Sequence, residues 1–160
     1  MNKKISPMVG AEQSFNDEHT PIQPIDANIS LYLHTRDNVG SVTAIRDELE
    51  AIKNGKIKHV IEKCRSVSGE AYSHLKQWLS MTCFQGVMRP KRGKDYLTDP
   101  SGVLCIDFDG FDCQQAEYVR NLLRSCPFIF SAWLSPSARG VKALFRVNLA
   151  NDAECKHAFN

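Results

Sequence analysis

The chain has 160 residues, 42% of them hydrophobic, enough to bury one sizeable core and too few for two comfortable domains. Its net charge of +2 does not by itself name a polyanionic partner, so that argument rests on where the basic residues cluster. No apolar run approaches the roughly 18 residues of a membrane helix, and none follows Met1-Asn2-Lys3-Lys4, so a cytoplasmic protein with no membrane partner is expected. The six cysteines form no C-x-x-C pair and no zinc-finger spacing with histidine, and they read as reduced packing residues.

Residues 1–28 carry Pro7, Pro21 and Pro24 without helical or strand periodicity and read as a flexible arm, leaving 29–160 as a single domain. Ile29 to His34 alternates well enough for a strand. Val42, Ile45, Leu49 and Ile52 recur at threes and fours, which predicts a helix from near Ser41 to Lys53, stopped by Asn54-Gly55. Ile57, Val60, Ile61 and Cys64 predict a second helix, and Tyr72, Leu75, Trp78 and Leu79 a third. Met81 to Met88 reads as a strand that the basic loop Arg89 to Lys94 cannot continue. Gly102 to Asp109 is then a buried strand, Cys113 to Leu123 a helix, and Phe128 to Leu134 and Val141 to Val147 two more strands. The order implies an α+β fold: an antiparallel sheet with helices packed on one face and a helical N-terminal part. Asn151 and Asp152 look like the cap of one more helix, which suggests a domain truncated at its C-terminus.

Strand alternation puts Asp107 and Asp109 on one face, about 7 Å apart, at the end of an apolar run. Two carboxylates held close repel unless a cation lies between them, and oxygen ligands favour Mg²⁺ or Mn²⁺; the alternative is a plain strand-ending turn. Ser135, Ser137 and Arg139 lie in a turn between apolar strands, a place to receive phosphate or simply to reverse the chain. Lys142 and Arg146 alternate onto the face expected to carry the two aspartates. Arg89, Lys91, Arg92 and Lys94, with Lys56, Lys58, Lys63 and Arg65 on the second predicted helix, supply cations for a nucleic-acid backbone or for ordinary solvated surface.

Ala44-Ile45-Arg46, Ile57-Lys58, Leu75-Lys76, Phe84-Gln85-Gly86, the strand ending Asp107-Phe108-Asp109, and Ser135-Pro136-Ser137-Ala138-Arg139-Gly140-Val141-Lys142 resemble the VirE N-terminal domain family of phage and mobile-element proteins. The resemblance implies an RRM-like or primase-like sheet, and a primase-polymerase-like activity in DNA replication. By position it makes Asp107 and Asp109 catalytic metal ligands for Mg²⁺ or Mn²⁺, and Ser137, Arg139 and Lys142 contacts to the phosphates of a nucleoside triphosphate, beside the Ser135 hydroxyl of the same turn. It also implies single-stranded DNA or a primer-template as partner, with helicase-type domains in a longer parent protein. Lys142 stands where the primase motif has histidine, Ala138 stands where it has glycine, and no third acidic motif can be assigned. The other readings are a catalytically inactive module that binds single-stranded nucleic acid, and a metal-dependent nuclease using the same carboxylates.

Overall fold

Ile29, Ser30 and Tyr32 are all buried in the first strand, β1 (Asn28–Tyr32), which therefore lacks the simple alternation of a half-covered strand. β1 is the middle strand of an antiparallel sheet, paired with β2 (Ser41–Ala44) on one edge and β3 (Met81–Cys83) on the other, and its Ser30 face is covered too, where Ser30 Oγ accepts from Met88 N–H at 2.9 Å. The computed structural model describes residues 25–147. Over these the chain is mixed α+β, with four helices and three small antiparallel sheets. Ile25 and Ala27 already pack into the core; the rest of the expected arm, and the expected helix after Asn151, lie outside the described residues.

The helix expected from Ser41 begins only at Ile45. Ser41–Ala44 instead form β2, because the free edge of β1 offers that segment a backbone ladder and its Val42 and Thr43 are β-branched. Ile45 N–H continues the ladder to the Ala27 carbonyl at 2.9 Å before the chain turns into α1 (Ile45–Lys53). Gly55, at φ +68°, ends α1, and α2 (Lys58–Arg65) and α3 (Gly69–Lys76) follow. The N-terminal half is thus not purely helical, since its three helices accompany the sheet β2-β1-β3.

The single strand expected over Met81 to Met88 is two strands in two sheets. Phe84 turns inward to the core between β3 and β4 (Gly86–Met88), and β4 pairs with β5 (Leu97–Pro100), a polar, proline-ended segment without strand periodicity in its sequence. Gly86 permits the break: its φ is +144°, and the Asp99 carbonyl lies where a Cβ would stand.

The third sheet carries β6 (Val103–Asp109), β8 (Gly140–Arg146) and β7 (Ile129–Leu134) in the order β6-β8-β7, antiparallel throughout. Strands β6 and β7 therefore run the same way, joined by α4 (Cys113–Arg124), and β8 inserts between them. A capping box starts α4: Asp112 Oδ1 accepts from Gln115 N–H at 2.8 Å, and Gln115 Oε1 accepts from Asp112 N–H at 3.0 Å. α4 packs on β7 and β8 through one face of this sheet. The opposite face is not open along its length as expected; Val103 and Leu144 on it join Ile25, Ile29, Ile45 and Phe84 in one buried cluster. No helix of the described residues is long and apolar enough to cross a membrane.

Leu144 sits at the centre of that cluster and is fully buried, so Leu144→Ala is expected to cost about 2–5 kcal/mol in urea unfolding. Leu122→Ala, on the exposed side of α4, is expected to cost less than about 0.5 kcal/mol in the same measurement.

Candidate phosphate-binding cleft

Residues directly opposite in an antiparallel ladder project from the same face. Lys142 of β8 stands opposite Asp107 of β6 on one side and Trp133 of β7 on the other, and Leu144 stands opposite Cys105. Towards Val103 and Leu144 this face is sealed by the core; towards Lys142 it opens into a cleft of about 360 Å³. Ile52, Ile57 and Ile61 line the helical side, Trp133 and Cys105 the sheet side, and Lys56 and Lys58 also line it.

Lys142 Nζ donates to both oxygens of Asp107, at 2.6 and 2.7 Å, in a pair whose side chains are 33% and 52% exposed. The ammonium thus neutralises the carboxylate that was expected to face a metal. Asp109 stands opposite Gly140, and its Oδ1 occupies the space a Cβ there would need, with the Phe108 carbonyl 2.8 Å and Ser135 Oγ 3.3 Å from that position. Only glycine admits this approach. Ser135 Oγ lies 3.0 Å from Ser137 Oγ, and Asp109 and Ser135 both approach Gly140 at this end of the cleft face. Among the described residues no group of three or more His, Cys, Asp or Glu side chains could hold a metal ion. With Asp107 engaged by Lys142, a metal ion at that carboxylate would have to compete with the ammonium for its oxygens.

Arg139, a further expected phosphate contact, is engaged elsewhere. Arg139 Nε points to the Phe111 carbonyl at 3.4 Å, and Phe111 N–H donates to the Arg139 carbonyl at 3.2 Å, tying the β7–β8 turn to the turn before α4. From the other side Arg65 of α2 donates to the carbonyls of Pro136 at 3.0 Å and Ser135 at 3.3 Å. In the sequence Arg65 is one cation among several on a helix, and nothing in its spacing shows that it latches a turn some 70 residues away. The loop Arg89 to Lys94 is a separate surface. Arg92 is engaged there structurally: its Nη1 donates to the Thr35 carbonyl at 2.8 Å, and its guanidinium lies over the Tyr32 ring. Lys91 lies over the Tyr96 ring, and Arg89 N–H donates to the Tyr96 carbonyl.

Residues 74–159, just over half of the chain, match the family described as BT4734-like, N-terminal domain. The chain belongs to that family. This corrects the VirE N-terminal assignment, and the primase, replication, phage and mobile-element expectations that came with it find no support in the match. No curated protein and no solved structure matches the chain. The BT4734-like span begins within α3 and contains β6, β7 and β8, hence Asp107, Asp109, Trp133 and Lys142. Lys56, Lys58 and Arg65, on the opposing wall of the cleft and at its turn, lie outside it.

On the cleft wall of this BT4734-like domain, burial pushes the Cys105 thiol up to about 11; Lys142 pulls it back and Asp107 adds to it. The folded chain thus keeps the proton to a higher pH than the unfolded chain does, with its ordinary value of 9.0. Stability present below that value is lost as pH rises from 9 towards 11. Urea unfolding is expected to show this fall, and Cys105→Ala to make it shallower; Cys83 and Tyr32, also pushed up by burial, keep it from vanishing.

Proposed function

We propose that this domain binds single-stranded nucleic acid in the cleft, without requiring a metal ion. The observation that carries the reading is the row Asp107, Lys142, Trp133 across three neighbouring strands at the mouth of an apolar-walled cleft that Lys56 and Lys58 also line. Lys142 has three N–H donors, two of them used on Asp107, so the carboxylate holds the ammonium in place and leaves a donor for a phosphate oxygen. Trp133 and the isoleucines of α1 and α2 give an apolar surface to a base, and base–aromatic stacking contributes about 1–3 kcal/mol. Metal-dependent catalysis at Asp107 and Asp109 would instead require Lys142 to leave its carboxylate.

Anisotropy of a labelled oligo-dT tests the two against each other. Binding is expected in EDTA, to weaken with salt, and to fall about tenfold in Lys142→Ala, whose fold persists because a half-exposed ion pair contributes at most about 1 kcal/mol. Replacing Lys56 and Lys58 by alanine should reduce the log–log salt slope by about 0.7 for each phosphate that is no longer neutralised. Asp107→Asn releases Lys142 and is expected to bind at least as well. Binding that requires Mn²⁺ and disappears in Asp107→Asn, or that does not respond to salt, would overturn the proposal.

A further inference from the structure

The outer edge of β7 is bare. β7 is the terminal strand of β6-β8-β7 and pairs only with β8 among the described residues. Ser135 N–H donates to the Gly140 carbonyl at 2.8 Å, and antiparallel alternation then turns the backbone groups of Trp133 and Ser131 towards β8 and those of Ala132 and Leu134 outward. Sheet edges are commonly protected by charges or proline within the strand. The other edge strand, β6, carries Asp107 and Asp109; β7, reading Ile129-Phe130-Ser131-Ala132-Trp133-Leu134, carries neither protection.

A groove of about 700 Å³ runs along this edge between α1 and α4. Its floor is apolar, with Leu49 and Ile52 of α1 and Ile129 and Ala132 of β7. Its banks are basic: Arg46 and Lys53 stand on α1, Arg120 and Arg124 on α4, and Glu50 is the only acid in the lining. No acidic side chain pairs with these four cations among the described residues, and Arg120 hydrogen-bonds to its neighbour Asn121. None of the four lines the cleft at Lys142, although the two cavities share Ile52, Trp133 and Leu134.

We propose that this groove is a second binding site, which takes an extended acidic peptide segment of a partner protein as an added strand on β7. The outward N–H and C=O groups of Ala132 and Leu134 complement another backbone, the apolar floor takes alternate side chains, and the cations on both banks take the carboxylates between them. The six residues of β7 match a peptide of about six residues, roughly 20 Å long. A nucleic-acid strand would satisfy the cations but has no comparable use for a strand edge over an aliphatic floor.

The test uses the full chain and two labelled hexapeptides, one alternating valine with glutamate and one alternating valine with lysine. The glutamate peptide is expected to bind, the lysine peptide not to, and Arg120→Glu/Arg124→Glu to weaken binding roughly tenfold or more. Hydrogen exchange supplies a readout that charge attraction alone would not move: the amides of Ala132 and Leu134 should slow on binding. Lys142→Ala should leave peptide binding intact, so failure of the nucleic-acid reading and failure of this one are distinguishable. Absence of glutamate-peptide binding, unchanged exchange at both amides, or protection of those amides by oligo-dT in place of the peptide would overturn the proposal.

Discussion

β8 must satisfy hydrogen bonds along both edges and bury side chains on both faces, and most of the architecture follows from meeting these demands. β8 is antiparallel to both β6 and β7, so the two run the same way, a strand's width apart, with α4 making the crossover. The hairpin at Ser135 to Arg139 then returns the chain into the gap. One face of β8 receives α4; the other receives Ile29, Ile45 and Phe84 from segments that precede the sheet in sequence. Val141, Ala143 and Leu144 are buried because β8 is enclosed in this way.

The same register creates the site. Where the covering N-terminal half stops, the cleft face of β8 continues for a few residues, and it presents a lysine there. A lysine at a central strand position needs a counter-charge within reach, and the ladder supplies Asp107 directly opposite. The side chains of the pair stay 33% and 52% exposed beside the apolar wall of the cleft.

The C-terminal sheet and its helix were legible because each segment is long, bounded by turn residues and dominated by one period: Val103–Asp109, Cys113–Arg124, Ile129–Leu134 and Gly140–Arg146 lie within two residues of the expected bounds. Ser41–Ala44 was not, because an apolar residue at 42 fits the helical repeat of 45, 49 and 52 while the pairing that decides its fate is with β1. Leu97–Pro100 has no pattern of its own and is a strand only because β4 lies beside it. Within the site, alternation correctly put Asp107, Asp109 and Lys142 on one face. It could not tell that Lys142 would lie against Asp107, which changes a pair of carboxylates into a neutralised cation, nor that Arg92 and Arg139 would be engaged by carbonyls. Those facts belong to pairings between distant segments and leave no periodic trace.

The shared core at Val103 and Leu144 has a consequence for what counts as a unit. The family span starts at residue 74, yet Ile25, Ile29 and Ile45, which close one side of that core, precede it. A piece cut at the family boundary would keep the ladder of β6, β8 and β7 but expose one of its two faces to water, and would leave the Ser135 to Arg139 turn without its Arg65 brace. The span that the family match covers is therefore smaller than the span whose residues build the core of this chain.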